Sequence, residues 1–303
     1  MDHEPLSTPV PGNRTPGATL KEASMAYKSI LVHVDADKRS ATRTDFAALL
    51  ALGWGAHLTG LHIAVPTRLP GFVQAELGPE FIEISRKADL ATIDKLATGF
   101  NDAMRRHGLV GSEWRSAAGD PQEVFALHAR YADLVVLGQH DPDDESGFMP
   151  PAFPELIALS VGRPILVLPY AGNFQPIPKR PLVCWKPSRE ATRAITDALP
   201  FLQRAEKVTI LAVNPHPSAD GHGEHPGADL ALFLARHGVK AEVATQAGVK
   251  LDVGEFILSR AADLSADLLV MGAYAHPRLR EVVFGGVTQT IMRHMTVPVL
   301  MSH

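Results

Sequence analysis

The chain of 303 residues is short of several things, and each shortage excludes something. It has one cysteine, Cys184, so no intrachain disulfide can form, which fits a reducing compartment. Its formal net charge is only -4, without the basic excess of a general nucleic-acid binder. No apolar run is long enough to span a bilayer. The N-terminus lacks the apolar segment of a signal peptide and is instead polar and rich in Pro, Gly and Thr. Residues 1–26 therefore read as a flexible tail, and the cytoplasm is the default location. No G-x-S-x-G elbow, G-x-x-x-x-G-K-[ST] loop or H-E-x-x-H pair is present. Cys184 falls inside a strand-like run and reads as a small core residue, so no catalytic constellation stands out.

What is present is a repeat. Hydrophobic residues make up 46% of the chain and charged residues 20%, enough for a real core in two domains of ordinary size. "ADLVVLG" (Ala132–Gly138) returns as "ADLLVMG" (Ala266–Gly272), 134 positions later. "RPILVLP" (Arg163–Pro169) returns as "VPVLMSH" (Val297–His303), with Pro164 and Pro298 also 134 apart. "AAGDPQEVF" (Ala117–Phe125) resembles "QAGVKLDVGEF" (Gln246–Phe256), so a short insertion follows it in the second half. Each half alternates apolar strand-like runs with helical ones, which predicts a parallel sheet covered by helices on both faces. The first half takes residues 27–171, the second 181–303, and 172–180, with two prolines, links them.

In such a sheet a ligand binds beyond the carboxyl ends of the strands, where strand order reverses. The sequence places "GAYAHPRLREVVFGGVT" at that edge in the second half. Gly285 and Gly286 precede an apolar helix, and helix N-termini attract phosphate through free N–H groups and the helix dipole. Glycine there lets a ligand sit on the backbone, or else simply makes a tight strand-to-helix turn.

Gly272-Ala-Tyr-Ala275, nine residues, then Gly285-Gly286-Val287-Thr288 is similar to the G-x-x-G, nine residues, G-[S/T] ending of the universal stress protein family. The "GRPILVLPY" ending of the first half and the "PSREATRAITDALPFL" opening of the second (Pro187–Leu202) resemble its tandem bacterial members. The resemblance covers about Tyr27–His303. It implies two tandem doubly wound five-stranded α/β domains of the adenine nucleotide α-hydrolase type. They would pack as a pseudo-dimer through Ile165–Leu168 and Val299–Met301. It also implies a stress-response sensor or adaptor with unidentified protein partners, some members of which bind ATP.

By that resemblance the nucleotide-binding candidates are Val213, Gly272, Ala275, Arg278, Gly285, Gly286, Val287 and Thr288. Three positions depart from the pattern: Ala275 replaces its second glycine, and Gly286 stands in place of its Ser/Thr. Aligning "ILVHVD" with "PLVCWK" puts Lys186 where ATP-binding members carry an aspartate. Trp185 beside it is either a base-stacking surface or core. The first half keeps the aspartate, Asp35, but has Pro151 and Ala152 in place of the glycines. Its preceding loop, "HDPDDES" (His140–Ser146), is acidic and reads as solvated rather than as a divalent-cation site. A nucleotide is therefore expected in the second half only, bound weakly and without appreciable ATPase turnover. The alternative is a ligand-free interaction scaffold with vestigial crevices. A hydrolase of the related α-hydrolase group lacks its S-G-G-x-D-S-type loop here. His216, His222 and His225, with Asp220 and Glu224, are metal-ligating types, but their spacing matches no fixed motif and no metal is expected.

Overall fold

The computed structural model describes residues 26–65, 71–144, 150, 152–215, 227–273, 275–278 and 281–303, with backbone alone at 71–79, 275–278 and 281–284. The sequence readings at 1–25, at Pro151, at 145–146 and at the histidines 216, 222 and 225 lie outside these residues. In the first half, β1 (Ser29–His33), β2 (His57–Ala64), β3 (Ser112–Ala118), β4 (Leu134–Gly138) and β5 (Ile165–Leu168) alternate with α1 (Ser40–Trp54), α2 (Gly71–His107), α3 (Pro121–Ala129) and α4 (Phe153–Ser160). The second half runs β6 (Pro181–Trp185), α5 (Arg189–Arg204), β7 (Val208–Val213), α6 (Ala228–Arg236), β8 (Ala241–Gln246), α7 (Val253–Asp263) and β9 (Leu268–Gly272). A hairpin, β10 (Ala275–Arg278) and β11 (Glu281–Phe284), then leads to α8 (Gly286–His294) and β12 (Val299–Ser302).

The strands form one ten-stranded sheet in the order β3-β2-β1-β4-β5-β12-β9-β6-β7-β8. Each half is parallel and shares one strand order. The sheet turns antiparallel only where β5 meets β12, with Val299 opposite Val167, Leu300 opposite Leu166 and Met301 opposite Ile165. The last strands thus join as the pseudo-dimer reading expects. The register also carries the repeat: Gly138 faces Leu168 and Gly272 faces Ser302, each pair at the same offset. Ile30 faces Leu134 and Pro181 faces Leu268, which makes Asp35 and Lys186 equivalent, five residues beyond.

Local chemistry sets the helix starts in the same way in both halves. Asp120 caps α3 by accepting the Glu123 N–H at 3.0 Å, and Asp252 caps α7 by accepting that of Glu255 at 3.1 Å. The central strands are apolar on both sides because helices cover both faces. On one face the halves interlock. Tyr27, Trp54 and Phe201 pack ring against ring at 5.3–6.0 Å between centroids. Arg204 lies over the Trp54 ring at 3.6 Å and donates to the Gly53 carbonyl at 2.8 Å.

Two elements differ from the sequence reading. α4 falls in a stretch to which the sequence reading gave no helix range, because its eight residues are too few to show a helical period. Residues 275–278 and 281–284, to which the sequence reading assigned no strands, pair antiparallel with Arg278 facing Glu281 and the β-branched Val282 and Val283 on β11.

Phe201 is buried at the junction of both halves. Phe201→Ala is expected to lower the unfolding free energy by about 3–5 kcal/mol, read from the urea midpoint of the full chain.

Candidate functional site

Two equivalent crevices open at the carboxyl edge of the sheet, one per half, and their contents differ. In the first, Arg43 reaches in from α1 with only 2% of its side chain exposed. Its Nη2 meets Asp35 Oδ1 at 2.6 Å, its Nη1 meets Asp37 Oδ2 at 2.9 Å, and its Nε donates to the His33 carbonyl at 2.8 Å. Any Cβ at Gly138 would collide with the guanidinium, so this glycine makes room for an internal cation. Burial alone would raise the Asp35 carboxyl, but Arg43 and His33 overcome it and hold the group well below the usual carboxylate range. Burial leaves Asp37 above its ordinary value even beside the same arginine. His33 is fully buried between Phe125 and Phe153, and burial pulls its imidazole down to about 4.

The acidic loop departs from the solvated reading. Asp144 is buried and accepts the Lys38 backbone N–H at 2.7 Å, and Lys38 Nζ donates to the Asp143 carbonyl at 2.9 Å. The loop folds back over the crevice, which retains only about 50 Å³. At the N-terminus of α4, Ala152 provides no side-chain cap and Pro154 has no N–H to donate. Glu155 is buried in that first turn, its Oε2 without a partner, and burial raises its carboxyl. The chain's own carboxyl group therefore occupies the first turn of the helix, where an anion would sit.

The second crevice has about 310 Å³, within the usual range of ligand pockets. Six of the eight candidates line it: Val213, Gly272, Gly285, Gly286, Val287 and Thr288. Ala275 and Arg278 stand on β10 of the hairpin. Trp185, half-buried, and Lys186, exposed, lie at the end of β6 on its rim. Sequence reasoning missed the apolar wall of Leu211, Val253, Ile257 and Met271. Leu211 and Met271 are on the same side of the sheet as Val213, and Leu211 sits two residues inward from it, a period-2 signal that could have identified it. Where α1 sends in Arg43, α5 contributes only Ala191 to this lining. Cys184 lines the floor, its thiol pushed up to about 12 by burial.

The glycines have distinguishable reasons. Gly272 is forced by packing, since a Cβ there would lie 2.6 Å from the Ala191 backbone nitrogen of α5. Gly285 is the N-cap of α8 at φ -61 and ψ 145, a conformation open to any residue, and no side chain caps the helix. Gly286 is the first helical residue, and a Cβ there would meet nothing within 4 Å. At Gly286 neither backbone conformation nor crowding by the protein calls for glycine, and at Gly285 the backbone conformation does not. Thr288, two residues on, is buried at the same helix start. Among the described residues no group of three or more His, Cys, Asp or Glu is placed to hold a metal ion.

A family model described as the universal stress protein family matches residues 26–167 and again 179–303. A universal stress protein of Synechocystis is 36% identical over 74 residues, 22% of this chain and 26% of that relative, so the matched stretch spans about a quarter of its length. Among solved structures, a universal stress protein from Archaeoglobus fulgidus superposes with TM-score 0.65 at 16% identity, over 90% of this chain and 94% of that one. A Pseudomonas aeruginosa protein described as belonging to the same group gives TM-score 0.59 at 18% identity, over 91% and 92%. At these identities the structural likeness bears on the fold alone.

The buried His33 has a consequence for pH. Its folded value of about 4 lies below the 6.5 of a free imidazole, so the unfolded chain takes up the proton first as pH falls. This group's contribution is complete above pH 6.5 and is lost on acidification towards 4, by about 3 kcal/mol in all. Urea unfolding of a His33→Leu variant between pH 7 and 4 is expected to show a shallower pH dependence than the wild type, by close to one proton.

Proposed function

The chain belongs to the universal stress protein family, with two family units in one polypeptide, and from that premise we infer a stress-response regulatory or adaptor protein that binds one adenine nucleotide, in the second half, without turning it over. The observation that carries this reading is the pair Gly285 and Gly286. They stand at an uncapped helix start in conformations that do not require glycine, Gly286 also in open space, facing a cleft of about 310 Å³. Glycine there keeps the first N–H groups of α8 open to a phosphate, and the helix dipole favours the negative charge. The apolar wall of Leu211, Val213, Val253 and Ile257, with Trp185 at the rim, suits a base and ribose.

The lining also supports binding without hydrolysis. It includes no carboxylate or imidazole among the described residues, and the Cys184 thiol stays protonated at neutral pH. Nothing there is suited to take a proton from an attacking water. The first-half crevice is occupied by Arg43 and its two aspartates, which supports a single site per chain.

Isothermal titration with ATP tests the reading. Gly286→Val places a branched side chain in open space at the helix start, so folding is preserved while the cradle is filled. Binding is expected to weaken at least tenfold with an unchanged melting temperature, and a Pro151→Gly control should bind like the wild type. Wild-type protein that takes up no nucleotide would favour the ligand-free scaffold instead.

Lys186 provides a second test. An aspartate there would restore a charged acceptor for the ribose, and a hydrogen bond to a charged group is worth about 1.5–3 kcal/mol. Lys186→Asp is therefore expected to tighten ATP binding roughly ten- to a hundredfold. Weaker binding in that variant would assign Lys186 to the phosphates.

A further inference from the structure

The outer part of α2 is a long helix that none of the described residues covers. Between Glu80 and Gly99 no residue is buried, and at 1.5 Å per residue this stretch runs about 30 Å. Among the described residues the helix is buried in the domain through its last turns, by Phe100, Ala103 and Met104, with Leu96 partly buried beside them. The outer stretch nevertheless carries an apolar seam. Phe81, Ile84, Ala88 and Ala91 recur at spacings of three, four and three, the a and d positions of a heptad. Phe81 is 41% exposed and Ile84 65%, more than an isolated solvated helix face would present. At 3.6 residues per turn the four seam positions lie about 100–180° around the axis from the buried Phe100, and all four are exposed, so none of the described residues covers the seam.

The flanking charges indicate what would cover it. With Phe81 and Ala88 at a, the g positions are Glu80, Lys87 and Asp94, and the e positions are the uncharged Ser85 and Thr92. In a parallel pair g meets e of the partner, and these residues supply no attraction. In an antiparallel pair g meets g. The register that stacks Phe81 of one copy on Ile84 of the other sets Glu80 against Lys87, once on each side of the two-fold axis. Sliding by one heptad instead sets Lys87 against Lys87 and Glu80 against Asp94, so the alternative register is repelled. We propose that α2 is a self-association surface, on which two copies of this chain pair through an antiparallel helix–helix seam centred between Phe81 and Ile84. Such an interface is isologous, as closed dimers require. It is separate from the seam of β5 and β12, which is already filled within one chain.

Sedimentation equilibrium of the full chain, from micromolar to hundreds of micromolar, tests this. Wild-type protein should dimerise, and Ile84→Lys should be monomeric throughout with unchanged helical circular dichroism, because the side chain is exposed. Glu80→Lys alone and Lys87→Glu alone should each weaken the dimer roughly tenfold, since two attractive contacts become repulsive. The double exchange, Glu80→Lys with Lys87→Glu, should restore it. A wild type that stays monomeric at the highest concentration overturns the proposal. So does a dimer that survives Ile84→Lys, or a double exchange that fails to recover what the single changes lose.

Discussion

The structure depends on how two apolar sheet edges are closed. All four residues of β5 are buried, and so are all four of β12. Left open, either strand would present unpaired backbone groups along an apolar edge, the arrangement that drives aggregation. Pairing them antiparallel removes both edges at once and makes one ten-stranded sheet from two parallel ones. The helices beside the seam then have to meet. α1 and α5 do so through Trp54 and Phe201, with Tyr27 adding its ring and donating to the Asp197 carbonyl at 2.7 Å. Arg204 covers this aromatic group with a cation–π contact at its rim.

Two halves fixed in this way need not keep the same chemistry. The equivalent positions Asp35 and Lys186 carry opposite charges, and their surroundings differ to match. In the first half the aspartate is neutralised by a buried arginine from its own chain. A buried ion cluster of this kind is costly to desolvate and is held only by complete pairing. Removing Arg43 would leave two carboxylates beside a neutral imidazole. The second half has no internal cation in its lining apart from Lys186 on the rim, and its helix start is left open. One copy of the repeat pairs its aspartate with its own arginine, and the other leaves its helix start open.

How much of this could be read beforehand follows from the range of each interaction. The repeat and the alternation of strands and helices were legible, because strand periodicity and the offsets of Gly138, Gly272, Pro164 and Pro298 survive in the sequence. The pairing of the last strands and the cleft residues Val213, Gly272 and Gly285–Thr288 came through the family resemblance. Arg43 was not weighed. An arginine in an Ala- and Leu-rich helix looks solvent-facing, and only the fold brings it back onto Asp35, eight residues earlier. Asp144 was misjudged for a similar reason. An acidic loop reads as solvated unless one knows that the Lys38 backbone lies beneath it. The first turn of α4 was hidden by its length, and with it the buried Glu155.

α8 joins the two halves physically. Its N-terminus opens on the second-half cleft, where unsatisfied N–H groups favour an anion. Its C-terminal carbonyls have the opposite need, and the first half meets it: Gln139 donates from the end of β4 to the carbonyls of Met292 at 2.8 Å and Arg293 at 3.1 Å. The same side chain accepts the Tyr170 N–H at 3.2 Å, so its amide is held from both ends. At the position equivalent to Gln139 the second half has Ala273, which has no amide to return, so the support runs one way. The first half, whose own crevice is closed by Arg43, thus contributes to the remaining cleft by fixing the far end of the helix that lines it. The helix is only nine residues long. At about 13 Å, a displacement at one end is felt at the other, and the antiparallel seam keeps Gln139 and α8 in register.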